Sequence, residues 1–438
     1  MKRLILLCAL CGWEVAAARA QSTMDIIGVT ALRALAPSLR GKGVIVKQVE
    51  APELSTTDFE VNPGSPGQPG SLFMYQSPKG GSASFPNNVG TESTHADQVA
   101  DNLFGANTGI APGLQHVGNA QAAYFYDEVI IKQEAVRARV FNQSFELGPH
   151  NAAQDQFYDD YIARYNTLVA SGIGNSGPVL TPADCYNGMG VAATGSGAAS
   201  SVGPSADGRC KPDITAPADV TSFSTPYVAG AAALLIQAGH QMGTNLSASV
   251  DSRTLKAFLL NGAVKPSDWT HTATIPLDYH YGAGVLNVYN SYLELEAGRH
   301  GPTSAALSQA GHPPLTSGSA SNLSMGWDFD TVTSNTSDAG VNHYRISTTG
   351  TGSLITSLVW NKGYRQTAIN QLSLYVYDSG RNLLAASNST VDNVQQIYLT
   401  GLAAGIYEIE VVKTAGRTGA PGVVSVQEEY ALVWDFER

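Results

Sequence analysis

Charge is what this chain has least of. Only 14 % of its 438 residues are Asp, Glu, Lys or Arg, against about a quarter in an ordinary soluble protein. The 25 Lys and Arg are outnumbered by 36 Asp and Glu, and the net charge is -11. A phosphate backbone or an anionic membrane surface would be repelled, which argues against nucleic-acid and acidic-lipid partners. Cysteine is scarce as well. Of four residues, Cys8 and Cys11 lie near the N-terminus, so Cys185 and Cys210 are what the rest of the chain holds. Beyond residue 20 there is no C-x-x-C and no Cys/His cluster, so no ligand set for structural zinc is in sight. The remaining pair could close a disulfide in an oxidising compartment, a matter the spacing leaves open. A long apolar run is also missing. Lys2-Arg3 precede an apolar stretch from Leu4 to Trp13 and small residues ending Ala17-Ala18-Arg19-Ala20. That pattern reads as a secretory signal peptide cut near Ala20, too short for a membrane span, and predicts a secreted protein.

Glycine (45) and proline (21) are plentiful, as suits a loop-rich extracellular chain, and the length exceeds what one hydrophobic core usually serves. From Gly41 to Gly284 short apolar strands alternate with amphipathic or small-residue helices: strands at Val44 to Val49, Arg139 to Phe145, Val169 to Gly174 and Met189 to Ala193, helices at His95 to Leu103, Gln154 to Leu168 and Thr225 to Ala238. The expected fold class is α/β, a parallel sheet with helices on both faces and function at the carboxyl ends of its strands. Gly, Pro, Ser and Ala then dominate, with His300-Gly301-Pro302 and Pro313-Pro314 as breakers. Residues 298–320 therefore read as a linker after a domain at 21–297. Past it the apolar period becomes two, at Leu354 to Val359, Gln371 to Tyr377, Gln396 to Leu399, Ile406 to Val412 and Tyr430 to Trp434. This predicts a small all-β sandwich over 321–438, independent of the first domain, with Trp327, Trp360 and Trp434 in its core.

Four residues carry the chemistry. Glu50 ends an apolar strand, His95 opens a helix, Asn175 follows a strand in Gly174-Asn175-Ser176-Gly177, and Ser222 precedes Thr225-Pro226 and a run of small residues. An orienting acid, a base, an oxyanion donor and a nucleophile are the parts of acyl transfer, which needs no cofactor and no metal. Each alone has an ordinary structural explanation: a serine as helix N-cap, an asparagine in a turn. Their company and order give them weight.

That order, with the connecting phrases, resembles the subtilisin-like serine peptidases, the subtilases. Gly41-Lys42-Gly43-Val44 leads to the acid; His95-Ala96 is followed by Val99-Ala100; Gly109-Ile110-Ala111-Pro112-Gly113 comes next. Asp207-Gly208-Arg209, Lys211-Pro212-Asp213-Ile214 and Ala216-Pro217 precede Thr221-Ser222 and Thr225-Pro226, and Tyr281-Gly282-Ala283-Gly284 closes the likeness. The resemblance implies a subtilisin-like fold and an endopeptidase acting on proteins or peptides. It also implies that Asn142-Gln143-Ser144-Phe145 pairs with an extended substrate, making Ser144 and Phe145 substrate-binding.

The departures matter too. Glu50 stands where the family has Asp, with Asp58 and Glu60 as substitutes in reach. Asp97-Gln98 replace the usual Thr-His, and a competing register would set Glu92 beside the histidine as in the sedolisins, but Val99-Ala100 stay in step only with His95, and Asn175 occupies the place of that group's Asp. Only Ala218 to Thr221 separate Pro217 from Ser222, with Val220 in place of Gly, so a more open cleft is expected there. The first strand motif follows Gln21 closely, leaving no room for a pro-segment. The competing function is an inactive subtilase-like module used for binding.

Overall fold

The computed structural model describes residues 21–243, 246–308, 312–316, 323–415 and 425–436; the stretch read as a signal peptide lies outside them. The first domain is built on an eight-stranded sheet. Its order is Ile214–Pro217, Met189–Thr194, Leu168–Gly172, Val140–Gln143, Ile45–Glu50, His116–Gln121, Phe73–Ser77 and Gly80–Ser82. All neighbours are parallel except the last pair, an edge hairpin. Ile45–Glu50 lies in the middle, and the chain builds on one side of it before crossing to the other. Ligands of such sheets bind where the strand order reverses. The expected α/β class and its strands stand, with edges moved by a residue or a few.

The sheet is covered on both faces. On one side the 21-residue helix Thr221–Gln241 packs on the strands and against Thr94–Phe104. Its small side chains let it pass close by: Gly230 lies so near Ile110 that an added Cβ would sit 1.8 Å from Ile110 Cγ2. The Gly41-Lys42-Gly43 turn is tied to the same helix, because the Gln237 side-chain oxygen accepts from the N–H groups of Arg40, Gly41 and Lys42. On the other side Phe125, Tyr158, Tyr161 and Ile162 cover Val49, Ala120, Phe141 and Val169.

The C-terminal part is a sandwich of two antiparallel sheets. One orders Ser304–Ser308, Ala339–Thr348, Gly405–Lys413, Leu372–Asp378 and Leu383–Ser387; the other Met325–Thr333, Gln427–Asp435, Gly352–Trp360 and Val394–Leu402. Between them lies a core that includes Tyr344, Ile346, Leu358, Trp360, Ile409, Val411 and Trp434. Ser304–Ser308 falls in the stretch read as linker; it is the edge strand of this sandwich.

The sandwich is not the free-standing unit expected. Trp327, Val359, Val394, Ala431 and Val433 belong to the first domain's core cluster, and the Trp327 ring meets Phe258 of the helix Ser252–Gly262 edge-on at 5.6 Å. Polar groups cross the same boundary. Ser357 donates to Asn261 Oδ1 at 3.0 Å, Asn187 and the Lys362 backbone exchange two hydrogen bonds of 2.8 Å, and the Cys210 N–H donates to Asp392 at 2.7 Å. The reason is visible in the strands: Tyr430 to Trp434 is apolar on both faces, and Trp327 and Phe329 turn toward the first domain, where an independent sandwich would have polar outer faces.

Candidate active site

The site residues come from strand ends, as the topology requires. Glu50 is the last residue of the central strand, Ser144 follows the strand Val140–Gln143, Asn175 follows Leu168–Gly172, and Ser222 lies beyond Ile214–Pro217. His95 sits in the first turn of Thr94–Phe104, whose N-cap is Ser93, with its hydroxyl oxygen accepting from the Ala96 N–H. Val99 and Ala100 of this helix are fully buried, leaving His95 partly exposed at its mouth.

His95 Nδ1 is 2.9 Å from Glu50 Oε2, and the Glu50 side chain is fully buried. The other carboxylate oxygen accepts from Gln48 Nε2 at 2.8 Å, and the same amide reaches the Ala96 carbonyl at 2.8 Å. Gln48 therefore fixes the acid and the start of the histidine helix together. Burial of the ring opposes its charge, but the hydrogen bond and charge of Glu50, with a smaller contribution from Glu53, outweigh that and hold the His95 pKa above its ordinary value. The substitutes are engaged elsewhere. Asp58 accepts from the backbone of Leu54 and Ser55, and Glu60 from Asn87. Glu92, of the competing register, is exposed and accepts from Asn62.

Ser222 stands second in its helix, whose N-cap is Val220; it is not itself the cap. The helix begins at Thr221, four residues earlier than expected, so Pro226 lies inside it. Proline has no N–H for the carbonyl four residues back, which is that of Ser222. Ser144 Oγ supplies the missing bond, donating to Ser222 O at 2.8 Å, while Ser222 Oγ donates to Ser144 O across a long 3.4 Å. Asn102, two turns after His95 on the same helix, donates to Phe223 O at 3.1 Å and accepts from the Tyr227 hydroxyl at 3.1 Å. The histidine and serine helices are thus fastened beside the reacting groups, and the His95 and Phe223 rings lie 5.7 Å apart.

Asn175 is held by one end. Its Oδ1 accepts from both the N–H and the hydroxyl of Thr221, each at 2.9 Å. Beside it, a depression of about 140 Å³ is lined by Ser144, Phe145, Gly172, Gly174, Asn175 and Ser222, among others. Gly174 has φ +101°, and a side chain there would run into Leu180 and Ser201. Cys185 and Cys210, by contrast, are not bridged: both are buried free thiols, one in the core of each sheet face.

Residues 84–284 match a family model, that of the subtilase family. The likeness is to the subtilases. The subtilase match includes His95, Asn175 and Ser222 and supports a serine-type peptidase; Glu50 lies before it, so its place rests on geometry. Among solved structures, the chain is similar to the prenylagaramide maturation protease PagA, with 20 % identity over 61 % of this chain and 98 % of that one and a TM-score of 0.46. The self-cleaved protease domain of PatA shows 20 % identity over 60 % and 100 %, TM-score 0.40. A protease from Pseudoalteromonas arctica shows 15 % over 58 % and 91 %, TM-score 0.42.

Gln48, Asn102 and Thr221 were not singled out from sequence. Two had a readable signal. Gln48 is two residues before Glu50 and so on the same face of the strand; Asn102 is seven after His95 and so on the same face of the helix.

Proposed function

We propose that the chain is an exported serine endopeptidase. Substrate binding turns the Ser222 hydroxyl from Ser144 O toward His95 Nε2, a contact that commonly tightens only in the complex. Ser222 Oγ attacks the scissile carbonyl while His95 takes its proton. Glu50 stabilises the imidazolium through the Nδ1–H and fixes the tautomer. Because the Asn175 oxygen is occupied by Thr221, its amide nitrogen is the end left for the oxyanion, beside the Ser222 N–H. One such donor contributes about 3 kcal/mol. His95 then protonates the leaving amine, and water hydrolyses the acyl-enzyme by the same route in reverse. Ser144 and Phe145 carry the substrate backbone past the depression beside Asn175.

The observation that carries this reading is the 2.9 Å contact between buried Glu50 and His95: an acid one methylene longer than the family's reaches the ring. A fluorophosphonate probe tests it. Wild-type chain should be labelled at Ser222 and cleave casein, and Ser222→Ala should lose both while remaining folded; labelling at another serine, or none on folded wild type, would refute it. Export rests on the N-terminal pattern, which terminal sequencing of secreted protein should show ending near Ala20; a retained Met1 would count against it.

A further inference from the structure

The outer face of the five-stranded sheet carries a group of side chains that peptide hydrolysis does not use. His343 lies on Ala339–Thr348, and Glu408 and Glu410 on Gly405–Lys413, with His343 opposite Glu410 in register. Side chains two apart on a strand share a face, and the opposite face, with Tyr344, Ile346, Tyr407, Ile409 and Val411, makes the sandwich core. On the outer face His343, Glu408 and Glu410 should be wet, yet their exposures are 3 %, 4 % and 0 %. Residues 312–316 pass over them. His312 Nδ1 is 2.8 Å from Glu410 Oε2, and the Leu315 N–H donates to Glu408 Oε1 at 2.9 Å.

The arrangement gathers nitrogen and oxygen donors around one point. His343 Nδ1 is 2.9 Å from Glu408 Oε1 and 3.3 Å from Glu410 Oε1. The second approach is close enough for attraction but is not aligned as a hydrogen bond, and Glu410 Oε1 has no hydrogen-bond partner among the described residues, on a side chain with no exposure. A buried carboxylate oxygen in that position is costly unless something positive takes it up. Arg345 Nε lies 3.7 Å from the far oxygen of Glu408.

We propose that His343, Glu408 and Glu410 bind a divalent transition cation of the zinc type, with His312 holding the outer oxygen of Glu410 beside it. One imidazole and two carboxylates, with water in the fourth position, suit such an ion. Bonds of roughly 2.0–2.1 Å to a tetrahedral centre place ligand atoms roughly 3.3 Å apart. The His343–Glu410 separation is already 3.3 Å, and the 2.9 Å His343–Glu408 contact needs to open only slightly. The cation would fix Glu408 and Glu410, which hold the Leu315 N–H and His312, so its loss should loosen residues 312–316 and leave the catalytic residues in place.

The test uses the full chain, purified, stripped with a chelator and dialysed, then titrated with Co²⁺ followed by absorption and with Zn²⁺ by calorimetry. A single cation per chain with tetrahedral-type cobalt bands is expected. Glu410→Gln, nearly isosteric and so able to fold, and His343→Ala should weaken binding on the order of 10- to 100-fold or more. His150→Ala, in the other group of His and carboxylates formed with Asp155 and Asp184, should bind as wild type does. Folded, stripped wild type that takes up neither ion would overturn the proposal and leave the group as an ion-pair network. Binding that survives Glu410→Gln, or is abolished by His150→Ala, would overturn it as well.

Discussion

The hydroxyl of Ser144 donates to the carbonyl oxygen of Ser222 at 2.8 Å, the one carbonyl that Pro226 leaves without an intrahelical partner. A proline within the serine helix is therefore compatible with an ordered first turn because a neighbouring strand supplies the absent hydrogen bond. The same serine offers its own carbonyl to Ser222 Oγ, so the proposed nucleophile and the end of the strand Val140–Gln143 hold each other.

Ser144→Ala should cost about 1 kcal/mol of stability, the ordinary worth of one hydrogen bond in a partly open site, read as a shift in denaturant midpoint. Its effect on turnover should be larger than on KM, because the bond fixes the turn that presents the nucleophile. A variant with unchanged kcat would show that Pro226 needs no such partner.

Glu50→Gln should keep the fold and lower kcat by up to about 10⁴-fold, since an amide allows the wrong imidazole tautomer. Catalysis needs neutral His95, whose folded pKa is raised against burial by Glu50. The acid limb of kcat/KM should accordingly fall through that raised value in wild type and move to lower pH in the variant. The sign for stability is opposite. The protonated His95–Glu50 pair contributes fully below the unfolded pKa of about 6.5, and its contribution disappears as pH rises through the folded value. An acid limb at the same pH in both proteins would remove Glu50 from the site.

These residues show where sequence is readable. Glu50, His95, Asn175 and Ser222 could be singled out as candidates because each follows a local pattern, a strand end or a helix start, in a fixed order. Thr221 was not, because its bonds to Asn175 span 46 positions and nothing local marks them. Likewise the strand Phe73–Ser77 is short and half-exposed, with Met74 outward, and period alone does not reveal it. The disulfide was left open because spacing says nothing about which face of the sheet a cysteine enters, and the two thiols prove to be free. The start of the serine helix was placed late because proline normally marks a first turn, and Ser144, far away in the chain, removes the reason.

Gly230→Ala should destabilise the protein even though alanine is the better helix former by about 1 kcal/mol. The new Cβ would lie 1.8 Å from Ile110 Cγ2 and 3.4 Å from Leu103 Cδ1, and both side chains are fully buried. Overpacking of this kind costs about 1–3 kcal/mol, sometimes more. Adding Ile110→Ala removes the clashing atom, so the double variant should be more stable than the sum of the single effects, a coupling that equilibrium unfolding of all four proteins would measure. Strict additivity would mean that the helix and the Ile110 loop separate without strain.

The last prediction concerns the sandwich, which the strand pattern presented as a separable attachment. Trp327 is 1 % exposed, its ring lies against Phe258, and its indole N–H donates to the Leu295 carbonyl at 3.1 Å. Both partners belong to the first domain. Removing such a ring leaves a cavity in the shared core, so Trp327→Ala should cost about 3–5 kcal/mol. It should lower one shared thermal transition, seen alike by calorimetry and by loss of peptidase activity. A chain ended at Thr316 would expose Phe258 and leave the Asn187 and Cys210 backbone contacts without their sandwich partners, and it should aggregate or unfold rather than retain activity. Two separate transitions, with the peptidase transition unmoved by Trp327→Ala, would restore the independent sandwich and make the shared core a contact of little energetic weight.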